Sequence, residues 1–208
     1  MKRIILIVFI GTLFISTASA QFSFGVRAGV TASDMSLDVL PDTAVDIVFG
    51  YNAGVYFKIF DGLFSLQPEI LYVRRGMNLN DLESDWYTRY YFHYIDVPVL
   101  LRINVPLKNT EIYFNLGPYA GYAINVKYKE NSFDSDQNAW VETESTCDYE
   151  TCIDNRFDYG FAMGAGLTYK HFVFDVRYNL GVAKVGDKER FNSSNHKFLN
   201  ISLGYQFK

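Results

Sequence analysis

From Phe22 to Phe207 the apolar residues recur at every second position, and this period of two never gives way to the 3.6 of a helix. A chain that alternates for so long can satisfy its backbone only as consecutive strands with one apolar face and one polar face. The first segment, beginning at Gln21, sets Phe22, Phe24, Val26, Ala28 and Val30 against Ser23, Gly25, Arg27, Gly29 and Thr31. The same pattern returns in Ile47–Ile59, Leu63–Arg75, Tyr90–Val105, Ile112–Lys127, Phe157–Tyr169, Phe172–Val182 and Lys197–Phe207, which makes eight strands. In the fifth, Phe114, Leu116, Pro118, Ala120, Tyr122 and Ile124 oppose Asn115, Gly117, Tyr119, Gly121, Ala123 and Asn125.

The connections alternate in length. Asp61-Gly62, Pro106 to Thr110 and Lys170-His171 are of hairpin size, whereas Ser33 to Asp46, Gly76 to Arg89, Tyr128 to Arg156 and Ala183 to His196 are long and polar. In an up-and-down meander these two sets fall at opposite ends of the strands. The pattern predicts an all-β fold: an eight-stranded antiparallel transmembrane β-barrel with short periplasmic turns, long extracellular loops and both termini periplasmic. A soluble lipid carrier of lipocalin type would alternate similarly with its apolar face inward, and glycine placement argues against it. Gly25, Gly29, Gly54, Gly117, Gly160, Gly164 and Gly204 share the polar face, where a solvent-facing strand would lose propensity and gain nothing. The crowded interior of an eight-stranded barrel needs such small residues between its long side chains. Trp86, Tyr87, Tyr90, Tyr91, Phe92 and Tyr94 cluster where the second long loop enters the fourth strand, which is the expected place of an aromatic girdle.

Composition removes other classes. The longest apolar stretch, Ile4 to Ile15, is shorter than the roughly 20 residues of a membrane-spanning helix. A formal charge of −4 without a basic cluster excludes a nucleic-acid partner. Lys2 and Arg3, the apolar run, and Ala18-Ser19-Ala20 before Gln21 read as an export signal over residues 1–20, cleaved to leave the barrel domain at 21–208. Export would put Cys147 and Cys152 in an oxidising compartment, where they are expected to pair as a disulfide in the third long loop.

FGVRAGV in the first strand, SLQPEILY in the third, YIDVPVLLR in the fourth, NLGPYAGY in the fifth, FDYGFAMGAGLTY in the sixth, FDVRYNLGV in the seventh and the closing ISLGYQF together resemble the outer-membrane β-barrel domain of the PorT-like family. The resemblance covers essentially the whole mature chain. It implies a Gram-negative outer-membrane protein whose family is named for a member linked to secretion, and it lends fold more than activity. Such barrels often end in an aromatic residue read by the barrel-assembly machinery, whereas here Phe207 is followed by Lys208.

Lumen-facing charges are Arg27, Lys58, Glu69, Arg75, Asp96, Arg102, Asp175 and Arg177. Both signs occur, so mutual pairing in a structural network is expected rather than a conductive path. Catalysis would need a base beside a nucleophile. Of the histidines, His93 has outward parity and His171 lies in a tight turn. Only His196, after Ser193, Ser194 and Asn195 at the end of a loop, suggests an alternative, a membrane-embedded enzyme. No catalytic residue, metal or cofactor is assigned. The third long loop is acidic, and Asp134, Asp136, Trp140, Glu142, Glu144, Asp148 and Glu150 form a candidate surface-binding segment. Asp134 to Asn138 resembles the opening of a calcium loop, but Ala139 replaces the glycine and Ser145 the closing glutamate, so a solvated acidic loop is the preferred reading. The expected function is a non-enzymatic envelope scaffold. It would be surrounded by outer-membrane lipid, engage the assembly machinery through its last strand, and meet a protein or surface ligand through its loops.

Overall fold

The computed structural model describes residues 22–36, 45–60, 62–80, 87–134, 139–146, 156–183 and 195–207. Ten strands form one antiparallel sheet: β1 (Phe22–Ser36), β2 (Val45–Asp46), β3 (Val48–Ile59), β4 (Phe64–Asn80), β5 (Tyr87–Pro106), β6 (Thr110–Asp134), β7 (Ala139–Thr146), β8 (Phe157–Tyr169), β9 (Phe172–Gly181) and β10 (Asn195–Phe207). Eight of them close on themselves in the order β4-β3-β1-β10-β9-β8-β6-β5, with β4 pairing β5. The closing seam joins first and last strands, from Phe24 opposite Phe207 to Ser36 opposite Asn195. Closure leaves the eight wall strands without a free edge.

The short connections all lie at one end, the turn end, together with Phe22 and Phe207. Phe60 and Lys170 adopt positive φ of 72° and 57°, which lets the chain reverse within so few residues. At the opposite, loop end the wall is uneven. β6 continues past its last pairing with β8, Tyr122 opposite Phe157, and its final stretch pairs with β7 as a hairpin from Lys127–Thr146 to Asp134–Ala139. Residues 128–134 and 139–146 of the expected loop are therefore strand. Of the segment compared with a calcium loop, Asp134 ends β6 and residues 139–145 lie in β7, while residues 135–138 lie outside the described residues.

Side-chain direction follows the alternation. Leu116 is 56% and Leu203 68% exposed, while Arg27, Glu69 and Arg177 are buried. An apolar outside around a polar inside is the reverse of a soluble lipid carrier and overturns that alternative. Where the register slips, parity slips with it. His93 pairs with Asn125 and Tyr94 with Ala123, leaving Ile124 as an extra residue, so Asn125 turns outward and Val126 inward, against expectation. Alternation also divides the supposed girdle. Phe92 and Tyr94 are buried in the lumen, and Tyr91 alternates with them on the other side. Trp86 and the side chain of Tyr87 lie outside the described residues.

Candidate functional site

The lumen is built in layers because every second residue of eight tilted strands must share a space just wide enough for side chains. Near the turn end, Arg27 of β1 donates to Glu69 of β4 at 2.9 Å and reaches Asp175 of β9 at 2.5 Å. Arg177, two residues along β9, grips both oxygens of Glu69 at 2.9 Å. Tyr113 and Asn115 of β6 donate to Asp175 at 2.9 and 3.0 Å. Gln67 extends the network, donating to Glu69 at 2.6 Å and accepting from Arg102 at 3.0 Å. Arg102 also pairs with Glu111 and lies 3.5 Å above the centre of the Tyr113 ring. Lys58 meets Glu111 from β3 at 3.2 Å.

Along β4 and β5 the next lumen positions are apolar. Leu71, Val73, Leu100, Ala162, Tyr119 and Phe198 pack as one cluster between this network and a second ionic group nearer the loop end. There Arg75 spans two carboxylates, Asp96 of β5 and Asp158 of β8. Tyr119 donates to Asp158 at 3.1 Å. The Phe198 and Tyr94 rings cover the guanidinium, with centroids 3.9 and 4.4 Å from its carbon. Burial without a partner would be prohibitive for any of these charges, and the geometry answers it with short paired contacts.

All eight lumen charges named from the sequence are buried in these two groups. Two members were missed, Glu111 and Asp158, although both share the parity of lumen neighbours, Tyr113 for the first and Gly160 for the second. With them, among the described residues, the two lumen groups hold five cations, Arg27, Lys58, Arg75, Arg102 and Arg177, and five carboxylates, Glu69, Asp96, Glu111, Asp158 and Asp175. Glycines admit the tyrosines. A Cβ on Gly25 would stand 2.3 Å from the Tyr56 ring, and one on Gly166 2.4 Å from that of Tyr113.

His196 does not lie where the sequence reading put it. It belongs to β10 rather than a loop, is 1% exposed, and its ring packs edgewise against Phe92 and Tyr94 at 5.7 and 5.8 Å. Ser193, Ser194 and the side chain of Asn195 lie outside the described residues, as do residues 1–20, Cys147, Cys152, Asp136, Asp148, Glu150 and the side chains of Asp134, Trp140 and Glu142. Of the acidic segment, Glu144 is described. It bridges Lys127 at 3.2 Å and Lys129 at 3.7 Å on the exposed hairpin, and the Lys127 contact holds its carboxyl below the usual range.

Comparison with known proteins returns a family. Residues 16–186 match the model described as "Outer membrane protein beta-barrel domain". No curated protein matches the chain. Among solved structures, Ail, the attachment invasion locus protein of Yersinia pestis, in complex with the heparin analogue sucrose octasulfate, is similar at 19% identity. That match covers 89% of this chain and 99% of that one, with a TM-score of 0.45. Neisserial surface protein A is similar at 12% identity over 88% and 97% of the two chains, TM-score 0.43. The outer membrane protease OmpT from Escherichia coli is similar at 9% identity over 92% and 99%, TM-score 0.43.

Proposed function

Because the chain belongs to the outer membrane protein β-barrel domain family, we propose that it is a non-enzymatic, non-conducting barrel that offers its loop end as an interaction surface of the cell envelope. The observation that carries this reading is the closed lumen. Arg75 and Arg102, at two levels of the barrel, are each 0% exposed, whereas a water-filled path would wet the guanidinium groups along it. Specificity then falls to the loop end, where β6 and β7 raise a hairpin beyond the wall. His196, enclosed by rings in the lumen, supports this reading over an enzyme organised around it.

The finer parts of the proposal rest on the sequence. A leader over residues 1–20 is removed on export, the turn end with both termini faces the periplasm, and the last strand is recognised by the assembly machinery. The resemblance to PorT-like barrels extends the proposal to a role in secretion. Planar-bilayer recordings of purified monomer test the central claim, with no stable large currents expected; sustained open-channel currents overturn it. A tag inserted after Lys208 and shielded from protease on intact cells is the result expected of the orientation.

A further inference from the structure

The outer wall is apolar over most of its height, and near the loop end it is interrupted. Adjacent strands carry Tyr51, Tyr72, Arg74, Tyr91, His93 and Lys127 on the face that alternates away from the lumen. β4 and β5 set Arg74 directly opposite His93. A guanidinium facing an imidazole across a ladder has no attraction to offer it, and two cations there would repel.

Every lumen arginine has a carboxylate, and Arg74 has none among the described residues. Its guanidinium lies over the Tyr91 ring, 3.9 Å from the centroid, with the Tyr51 ring at 5.7 Å. Stacking of this kind fixes the planar group without enclosing its terminal nitrogens. The Arg74 Nε is buried without a hydrogen bond, and so is Nε2 of His93, whose Nδ1 is engaged by the Tyr72 hydroxyl at 2.5 Å. Two neighbouring nitrogens thus lack an acceptor. On the nearby hairpin Glu144 is taken by Lys127 and Lys129. Toward the turn end the same wall continues as exposed Ile70, Val97 and Val99, so whatever meets Arg74 has apolar surface beside it.

We propose that Arg74 and His93 bind the phosphate of a membrane lipid whose headgroup lies level with the loop end and whose chains run along Ile70, Val97 and Val99. A phosphate at the outer end of the half-buried Arg74 guanidinium supplies an acceptor for charge-assisted hydrogen bonds, for which the arginine fork is well shaped. Tyrosines at the same level suit the boundary between chains and headgroups. The site requires only that the wall face lipid, whichever end of the barrel faces outward, so it stands or falls separately from the orientation and the closed lumen.

Native mass spectrometry of the folded full chain, released from micelles containing phosphatidylglycerol or galactosyl diacylglycerol, tests the assignment. Preferential retention of phosphatidylglycerol is expected. Arg74→Gln should weaken that retention roughly tenfold, the value of one charge-assisted hydrogen bond. Lys108→Gln, at the turn end, should leave it unchanged. Equal retention of the two lipids, undiminished retention by Arg74→Gln, equal loss with Lys108→Gln, or full displacement by inorganic phosphate overturns the proposal. Heat-modifiable migration on gels verifies folding of each variant. Should Arg74→Gln fail to refold, His93→Ala carries the test: reduced retention supports the site and unchanged retention overturns it.

Discussion

At the turn end of the lumen Arg27 and Arg177 share Glu69 and Asp175, so each carboxylate touches two guanidinium groups. At the loop end a single arginine, Arg75, holds Asp96 and Asp158 together. The first group is redundant and spreads through Gln67 to Arg102. The second has no spare cation among the described residues, and aromatic rings fill the space that further polar partners occupy below it. Similar burial therefore carries different risk. Loss of one arginine leaves the turn-end carboxylates partnered, but leaves two like charges facing each other at the loop end.

The largest expected effect follows from that asymmetry. Arg75→Met should destabilise the folded barrel by about 3–5 kcal/mol, the range for breaking a buried pair. The measurement is urea titration in lipid vesicles. Adding Asp96→Asn and Asp158→Asn should restore much of the loss, since the uncompensated charges go with them, and a triple variant as weak as the single one would break the comparison. The outer wall supplies a reference of known sign. Val99→Arg should cost about 2–4 kcal/mol if the position lies near the bilayer midplane, read in the same titration. A tolerated arginine there would reverse the assignment of inside and outside.

Arg27→Met should cost less than Arg75→Met, about 1–3 kcal/mol, because Arg177 still hydrogen-bonds Glu69 and pairs with Asp175, to which Tyr113 and Asn115 continue to donate. Equal costs for the two substitutions would show that redundancy contributes nothing. The hairpin extends the comparison to charges in water. The Glu144 carboxyl is lowered by Lys127, so its contribution is present above the ordinary glutamate range and is lost as pH falls through the lowered value. Amide-exchange protection of β7, corrected for the intrinsic exchange rate, should fall slightly on acidification, and Glu144→Gln should remove that pH dependence. The smallest effect concerns the proposed Cys147–Cys152 disulfide. So short a ring stabilises by less than the roughly 3 kcal/mol of a 15-residue loop, and replacing both residues with serine should leave the urea midpoint nearly unchanged. Mass spectrometry of unreduced peptides checks the pairing, and two free thiols refute it.

Much of this was legible beforehand for a simple reason. Alternation assigns a face to every residue once inside and outside are known, so Arg27, Glu69 and Arg177 could be set in the lumen by counting. The same count applied to Glu111 and Asp158 would have found them. It failed where the count itself was interrupted, at the bulge that turns Asn125 outward, and where strand continued into an acidic segment that composition marked as loop.

The sequence by itself determined the eight wall strands, the antiparallel meander, the apolar outside and most of the side chains crowded within, because each depends on period and on turn spacing along the chain. Only the tertiary structure decided who partners whom. Arg27 and Glu69 are 42 residues apart, Glu69 and Arg177 108, and nothing local relates them. Their meeting depends on the stagger of strands around a closed barrel, which sets the height of every side chain in the lumen. The same stagger brings Arg74 opposite His93 on the outside, and encloses His196 between two rings where the sequence alone had left it at the edge of a loop.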